Sequence, residues 1–162
     1  MNIYIIILSI FFLPNGANLC SCKSIGNWQK ATPKEYEYVE DVFIGDVKKI
    51  GESKFDYEIE VCEVFKGDLK VGQIIKGTNP RYCSPFVDKL GEWVLFGEYS
   101  TDFKTNDCGL SSNIEEPFGM FPPTPQPKPN SDIDGTELIK KWKIESKKNI
   151  LEQIKLLRNI SE

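Results

Sequence analysis

The chain contains no histidine. That absence removes His-ligated catalytic zinc, the Ser-His-Asp triad and Cys-His nucleophile pairs together, and with them most familiar hydrolase chemistry. A phosphate-cradling glycine loop and a nucleophile beside a recognisable base are also lacking, so the chain reads as a non-enzyme without a cofactor. There is no excess of positive charge: 20 basic side chains against 24 acidic ones leave a formal charge of −4. Such a balance gives no footprint for nucleic acid or an anionic membrane. Long apolar runs are missing too. The longest, residues 3–13, ends at Pro14-Asn15-Gly16 and is too short to cross a hydrocarbon layer of ~30 Å as a helix. No stable membrane span is expected.

That short run, in a stretch without a single charged side chain up to Leu19, suits the apolar core of a secretory signal. Residues 1–19 are therefore expected to act as a signal peptide. The cleavage point stays open: cutting before Cys20 leaves Leu19 where a small residue is favoured, and cutting after Ala17 leaves Asn18-Leu19 on the mature chain. Leu19 also disfavours lipidation of Cys20, so a secreted, extracellular protein is expected ahead of a lipid-anchored envelope protein.

Export permits disulfides, and five cysteines are present: Cys20, Cys22, Cys62, Cys83 and Cys108. The rest of the chain is organised around Cys20-Ser21-Cys22. In an extended segment the two sulfurs point to one side and Ser21 to the other. A bridge between Cys20 and Cys22 would close too small a loop, so each is expected to reach across the fold. Cys83 and Cys108 lie in turn-like surroundings suited to receive them. The odd cysteine is Cys62, read as a free thiol on the strand face opposite the core-facing set. The favoured expectation is a small buried hydrophobe beneath a C-terminal helix; the alternative is an intermolecular disulfide.

Thr32-Pro33 predicts an N-cap and first helical residue, with a short helix over residues 34–41. Alternation predicts strands over residues 42–50, 55–65, 73–78 and 92–99, with Tyr57, Ile59, Val61 and Phe65 sharing one face of the second, and a last short strand after Cys108. Strands joined by glycine-bearing turns, with one short helix, predict a small closed or nearly closed β-barrel. Residues 117–129 hold six of the ten prolines and form an extended connector. Beyond it Leu138, Trp142, Ile150, Ile154, Leu157 and Ile160 recur at helical spacing, predicting a long helix over residues 136–160. Residues 130–162 hold seven basic and six acidic side chains, against thirteen and eighteen over residues 20–129. The opposite signs favour docking of this helix on the barrel rather than on a membrane. Glu58 and Glu60, two apart on one strand, read as a solvated face, and Asn159-Ile160-Ser161 matches a glycosylation sequon at a helix end.

One resemblance joins these features. Cys20-Ser21-Cys22, Tyr57-Glu58-Ile59-Glu60 running into Val64-Phe65-Lys66-Gly67, Tyr82-Cys83 ahead of Trp93-Val94-Leu95-Phe96-Gly97, and Asp107-Cys108 occur in one order and spacing. In these motifs residues 20–114 resemble the N-terminal domain of the tissue inhibitors of metalloproteinases. The resemblance implies a five-stranded OB-fold barrel, netrin-like, over residues 20–116, with pairing of Cys20 to Cys83 and of Cys22 to Cys108. It also implies inhibition of a zinc metalloprotease. The α-amine and carbonyl oxygen of Cys20 would chelate the protease's zinc, Ser21 would enter its specificity pocket and Cys22 would hold the strip to the barrel. The connector at residues 117–130 and a helix within residues 131–162 stand where animal inhibitors carry a cysteine-rich second domain, as in shorter relatives outside animals. The alternative partner is an unidentified extracellular protein, bound by a scaffolding module in which the strip is only structural.

Overall fold

The computed structural model describes residues 22, 26–80, 85–117 and 135–162. The alternating stretches form the strands their pattern predicts. β1 (Asp41–Ile50) and β2 (Asp56–Lys66) make an antiparallel hairpin. Its turn is closed by the Gly51 N–H donating to the Asp56 carbonyl at 2.7 Å. β3 (Ile74–Thr78) pairs antiparallel with β2. β4 (Gly91–Tyr99) pairs antiparallel with the other edge of β1. β5 (Phe103–Thr105) lies between them, parallel to β3 and antiparallel to β4. The order β1-β2-β3-β5-β4, with β4 back on β1, closes the sheet. This is a five-stranded barrel of OB type, and β6 (Ser112–Asn113) is a short addition along β4. α1 (Trp28–Tyr38) precedes the barrel and α2 (Gly135–Ser161) follows it.

Two apolar clusters share the central strands. Phe43 and Val47 of β1, Tyr57, Ile59 and Val61 of β2, Trp93 and Leu95 of β4 and Phe103 of β5 fill the barrel interior. The intervening residues Val42, Ile44, Val94 and Phe96 point outward, beneath Trp28 and Val39 on one side and Ile150, Ile154 and Leu157 of α2 on the other. β1 and β4 are thus buried on both faces, unlike an ordinary half-solvated antiparallel strand. Full burial of Ile150 and Leu157 stabilises the docked helix by about 1.5–3 kcal/mol per side chain on area bookkeeping. Ion pairs from Lys147 to Glu115 and from Arg158 to Glu63 add the opposite-charge contacts expected of docking. Closure of the barrel needs a glycine at Gly97: a Cβ there would lie 2.0 Å from the Lys104 carbonyl oxygen on the adjoining β5.

Four expectations are corrected. α1 begins at Trp28, not Lys34, because Asn27 supplies the cap, its side chain accepting the Lys30 N–H at 3.1 Å. Thr32 and Pro33 lie inside the helix, where the Thr32 hydroxyl donates back to the Trp28 carbonyl. Phe65 does not share a face with Tyr57, Ile59 and Val61; it joins the outer cluster under the helices. The cause is a bulge: Ile44 pairs with Glu63 and Gly45 with Val61, so Cys62 has no partner in register and the in-out parity reverses. Cys62 itself is an exposed free cysteine rather than a hydrophobe beneath α2. β5 is an element that alternation did not predict. The connector expected over residues 117–129 lies outside the described residues except for Pro117, which is buried.

Candidate functional site

The Cys20-Ser21-Cys22 strip enters the described structure at its third residue, Cys22. Cys22 is bonded to Cys108, with their Cα atoms 5.3 Å apart and a sequence separation of 86. Cys20, Ser21 and Cys83 lie outside the described residues, and so does any bond between Cys20 and Cys83.

The partner end of this staple is a tight turn held against β4. Cys108 adopts a left-handed backbone, φ 58°, and Gly109 donates its N–H to the Asn106 carbonyl at 3.0 Å. On either side of it the chain is fastened at Phe96. The Asn106 N–H reaches the Phe96 carbonyl at 2.9 Å. The Ser111 hydroxyl accepts the Phe96 N–H at 2.9 Å and donates to its carbonyl at 3.1 Å. Leu110 between them is fully buried in the outer cluster.

α1 supplies the remaining support. The Glu35 carboxylate accepts the Asn106 side-chain amide at 3.1 Å and the Leu110 N–H at 3.0 and 2.9 Å. Burial pushes the Glu35 carboxyl above its usual range, and the bonds from Asn106 and Leu110 pull the other way. α1 is in turn pinned to β2. Tyr36 Oη donates to the Phe65 carbonyl at 2.7 Å, and the Lys66 ammonium donates to the carbonyls of Tyr36, Glu37 and Val39 at the end of the helix. A cation there satisfies orphan carbonyls and complements the helix dipole.

Beside the staple, between the diverging ends of β3 and β5, opens a cleft of about 830 Å³. Thr78, Asn79 and Pro80 line one side and Thr105, Asn106 and Asp107 the other. Its charged groups are Glu40, Glu98, Asp107 and Lys104, so its lining is mainly acidic, and Tyr38 at its edge is 80% exposed. Asp41, just beneath, accepts the Tyr99 N–H at 2.7 Å. Its carboxyl is pushed up by burial and by the carboxylates of Glu40, Asp68 and Glu98. Pro80 lines this cleft, and the Pro85 carbonyl accepts the hydroxyl of Thr105, which also lines it, at 3.2 Å.

The other candidate groups do not assemble into a centre. The Cys62 thiol faces the Glu60 carbonyl at 3.5 Å, and burial, with the carboxylates of Asp46, Glu92 and Glu60, holds it above its usual range. Glu60 pairs with Lys48 at 3.0 Å. Among the described residues no three His, Cys, Asp or Glu side chains are grouped to hold a metal ion, and no helix is long and apolar enough to cross a membrane. Sequence reasoning missed Glu35, because a glutamate amid the charged residues of a short helix carries no mark of burial.

Fold and site together define a class: a closed OB-type barrel with its N-terminal approach tied by a disulfide to the turn that follows its last barrel strand, β5. Comparison with protein-family models, with curated proteins and with solved structures finds no match.

Proposed function

We propose that this chain is an exported protein that blocks a zinc metalloprotease with its N-terminal strip. In this reading the α-amine and carbonyl oxygen of Cys20 chelate the protease's catalytic zinc, where hydrolytic water would otherwise be activated. Ser21 enters the specificity pocket, and Cys22 holds the strip to the barrel. An α-amine of pKa ~7.7–8.0 gives up its proton readily enough to bind a metal near neutrality. A second bond from Cys20 to Cys83 completes the clamp.

The observation that carries this reading is the tie between Cys22 and the rigid turn at Cys108. A fixed Cys22 leaves Cys20 only two residues away, within about 7 Å of an anchored point at the ~3.3–3.6 Å per residue of extended chain. A zinc ligand must be presented with little freedom, since binding that orders a loose segment loses affinity. The anchoring of Pro85 by Thr105 supports the second bond, because it keeps one end of the segment bearing Cys83 near the same turn.

The reading requires that nothing precede Cys20 in the mature chain. N-terminal sequencing of the exported protein is expected to start at Cys20 with a free amine, and one alanine added ahead of it should abolish inhibition of a zinc protease. Undiminished potency with the added alanine rejects the mechanism. A mature chain starting at Asn18 leaves the strip structural and favours the scaffolding alternative.

A further inference from the structure

A left-handed backbone at a residue other than glycine is disfavoured and persists only where its surroundings impose it. Cys108 is such a residue, and it carries the staple. The hydrogen bonds to Phe96 fasten the chain at Asn106 and Ser111. Inside that span, the Leu110 N–H is satisfied by Glu35 alone, shared between both carboxylate oxygens, while the Asn106 amide takes the Oε1 side. Among the described residues no ion pair includes Glu35, and the hydrogen bonds its carboxylate accepts come from the turn. The fit leaves no slack: a Cβ at Gly109 would lie 2.2 Å from Glu35 Oε1.

We propose that Glu35 is the positioning residue of the Cys22–Cys108 staple: from α1 it clamps the 106–110 turn, and so sets where Cys108 and Cys22 sit on the barrel. Position passes in one line, from β2 through the Tyr36 and Lys66 bonds to α1, from Glu35 to the turn, and from Cys108 to Cys22. Its consequence for a protease rests on the strip being the inhibitory part; the clamp itself does not.

The test is the rate at which a small thiol reduces the Cys22–Cys108 bond in the folded protein at fixed pH, trapped by alkylation and mapped by mass spectrometry. Glu35→Met keeps the length of the side chain but has no oxygen to offer, and it should speed reduction about tenfold, the effect of one hydrogen bond to a charged group. Glu35→Gln keeps a carbonyl acceptor and should stay within about threefold of the wild type. A side chain that merely filled space would make the two variants alike. Asn106→Ala removes one donor with little risk to the fold and should speed reduction about threefold. Unchanged rates in Glu35→Met, or in Asn106→Ala where Glu35→Met does not fold, overturn the clamp. Accelerated reduction in a protein that inhibits no zinc protease keeps the clamp and removes the inhibitory reading. Unchanged reduction in a potent inhibitor does the reverse.

Discussion

Replacing both Cys22 and Cys108 with alanine should cost about as much stability as truncating a large side chain in the core. The bond closes a loop of 86 positions that contains α1 and all five barrel strands. On the chain-entropy model a loop of that size restricts the unfolded chain by about 4–5 kcal/mol at 25 °C when it is the sole cross-link, and by about 3.5 kcal/mol when a bond from Cys20 to Cys83 already shortens the loop. Little native packing offsets that figure, because Cys22 is exposed and Cys108 only partly covered. The double variant should keep its near-ultraviolet aromatic spectrum, since both clusters lack these sulfurs. It should unfold at a lower guanidinium midpoint, with a larger m-value because the released unfolded chain exposes more surface. The assay is equilibrium denaturation of variant and wild type at one pH, followed by tryptophan fluorescence. A loss below about 1 kcal/mol with an unchanged m-value would show that the bond does not restrain the unfolded chain. The staple would then be an ornament on a barrel that holds itself together.

Two further predictions concern α2 and Glu35. Leu157→Ala removes a fully buried side chain from the seam between α2 and the barrel and should cost about 2–5 kcal/mol in thermal or chemical unfolding. Ile144→Ala on the same helix, 70% exposed, should change stability by less than about 0.5 kcal/mol, and equal losses would contradict the placement of the helix. For Glu35 the folded carboxyl sits above its ordinary value of 4.5. The fold therefore binds this proton more tightly than the unfolded chain does, and the contribution, full below 4.5, is lost as pH rises through the folded value. Glu35→Gln has no such proton, so its stability relative to the wild type should rise with pH across that window. A flat or falling difference refutes the partly buried carboxylate whose proton the fold binds more tightly. Glu63 acts in the opposite sense, because Arg158 lowers its carboxyl: its contribution is present above 4.5 and lost as pH falls. As this pair is largely exposed, that loss is small.

The strands and the long helix were legible because burial in them follows one period at a time. Tyr57, Ile59 and Val61 alternate with Glu58 and Glu60, and Ile150, Ile154 and Leu157 recur at helical spacing. What escaped was set by contacts distant in sequence. The bulge at Cys62 reverses the parity of β2, so Phe65 changes sides with no local sign in the chain. β5 spans three residues, too few for a pattern, and exists because β3 and β4 flank it. The outward faces of β1 and β4 are apolar because helices cover them, and only the two-sided run Val42-Phe43-Ile44 and Trp93-Val94-Leu95-Phe96 hinted at it. The polar members of the α2 seam, Ser146 and Gln153, are buried where periodicity of apolar residues does not look. There the Gln153 amide meets the Thr32 hydroxyl of α1 at 3.0 Å. At the site, the bond between Cys22 and Cys108 followed from the resemblance, whereas the role of Glu35 required the turn and the helix to be seen together.

The most direct measurement is a disulfide map of the protein, made by digestion without reduction and mass spectrometry of the linked peptides. The expected result is one cluster of three linked peptides, in which the peptide carrying both Cys20 and Cys22 is joined to those carrying Cys83 and Cys108, together with an alkylatable Cys62. A map in which Cys20 and Cys22 are joined to each other, or remain free thiols, would contradict it.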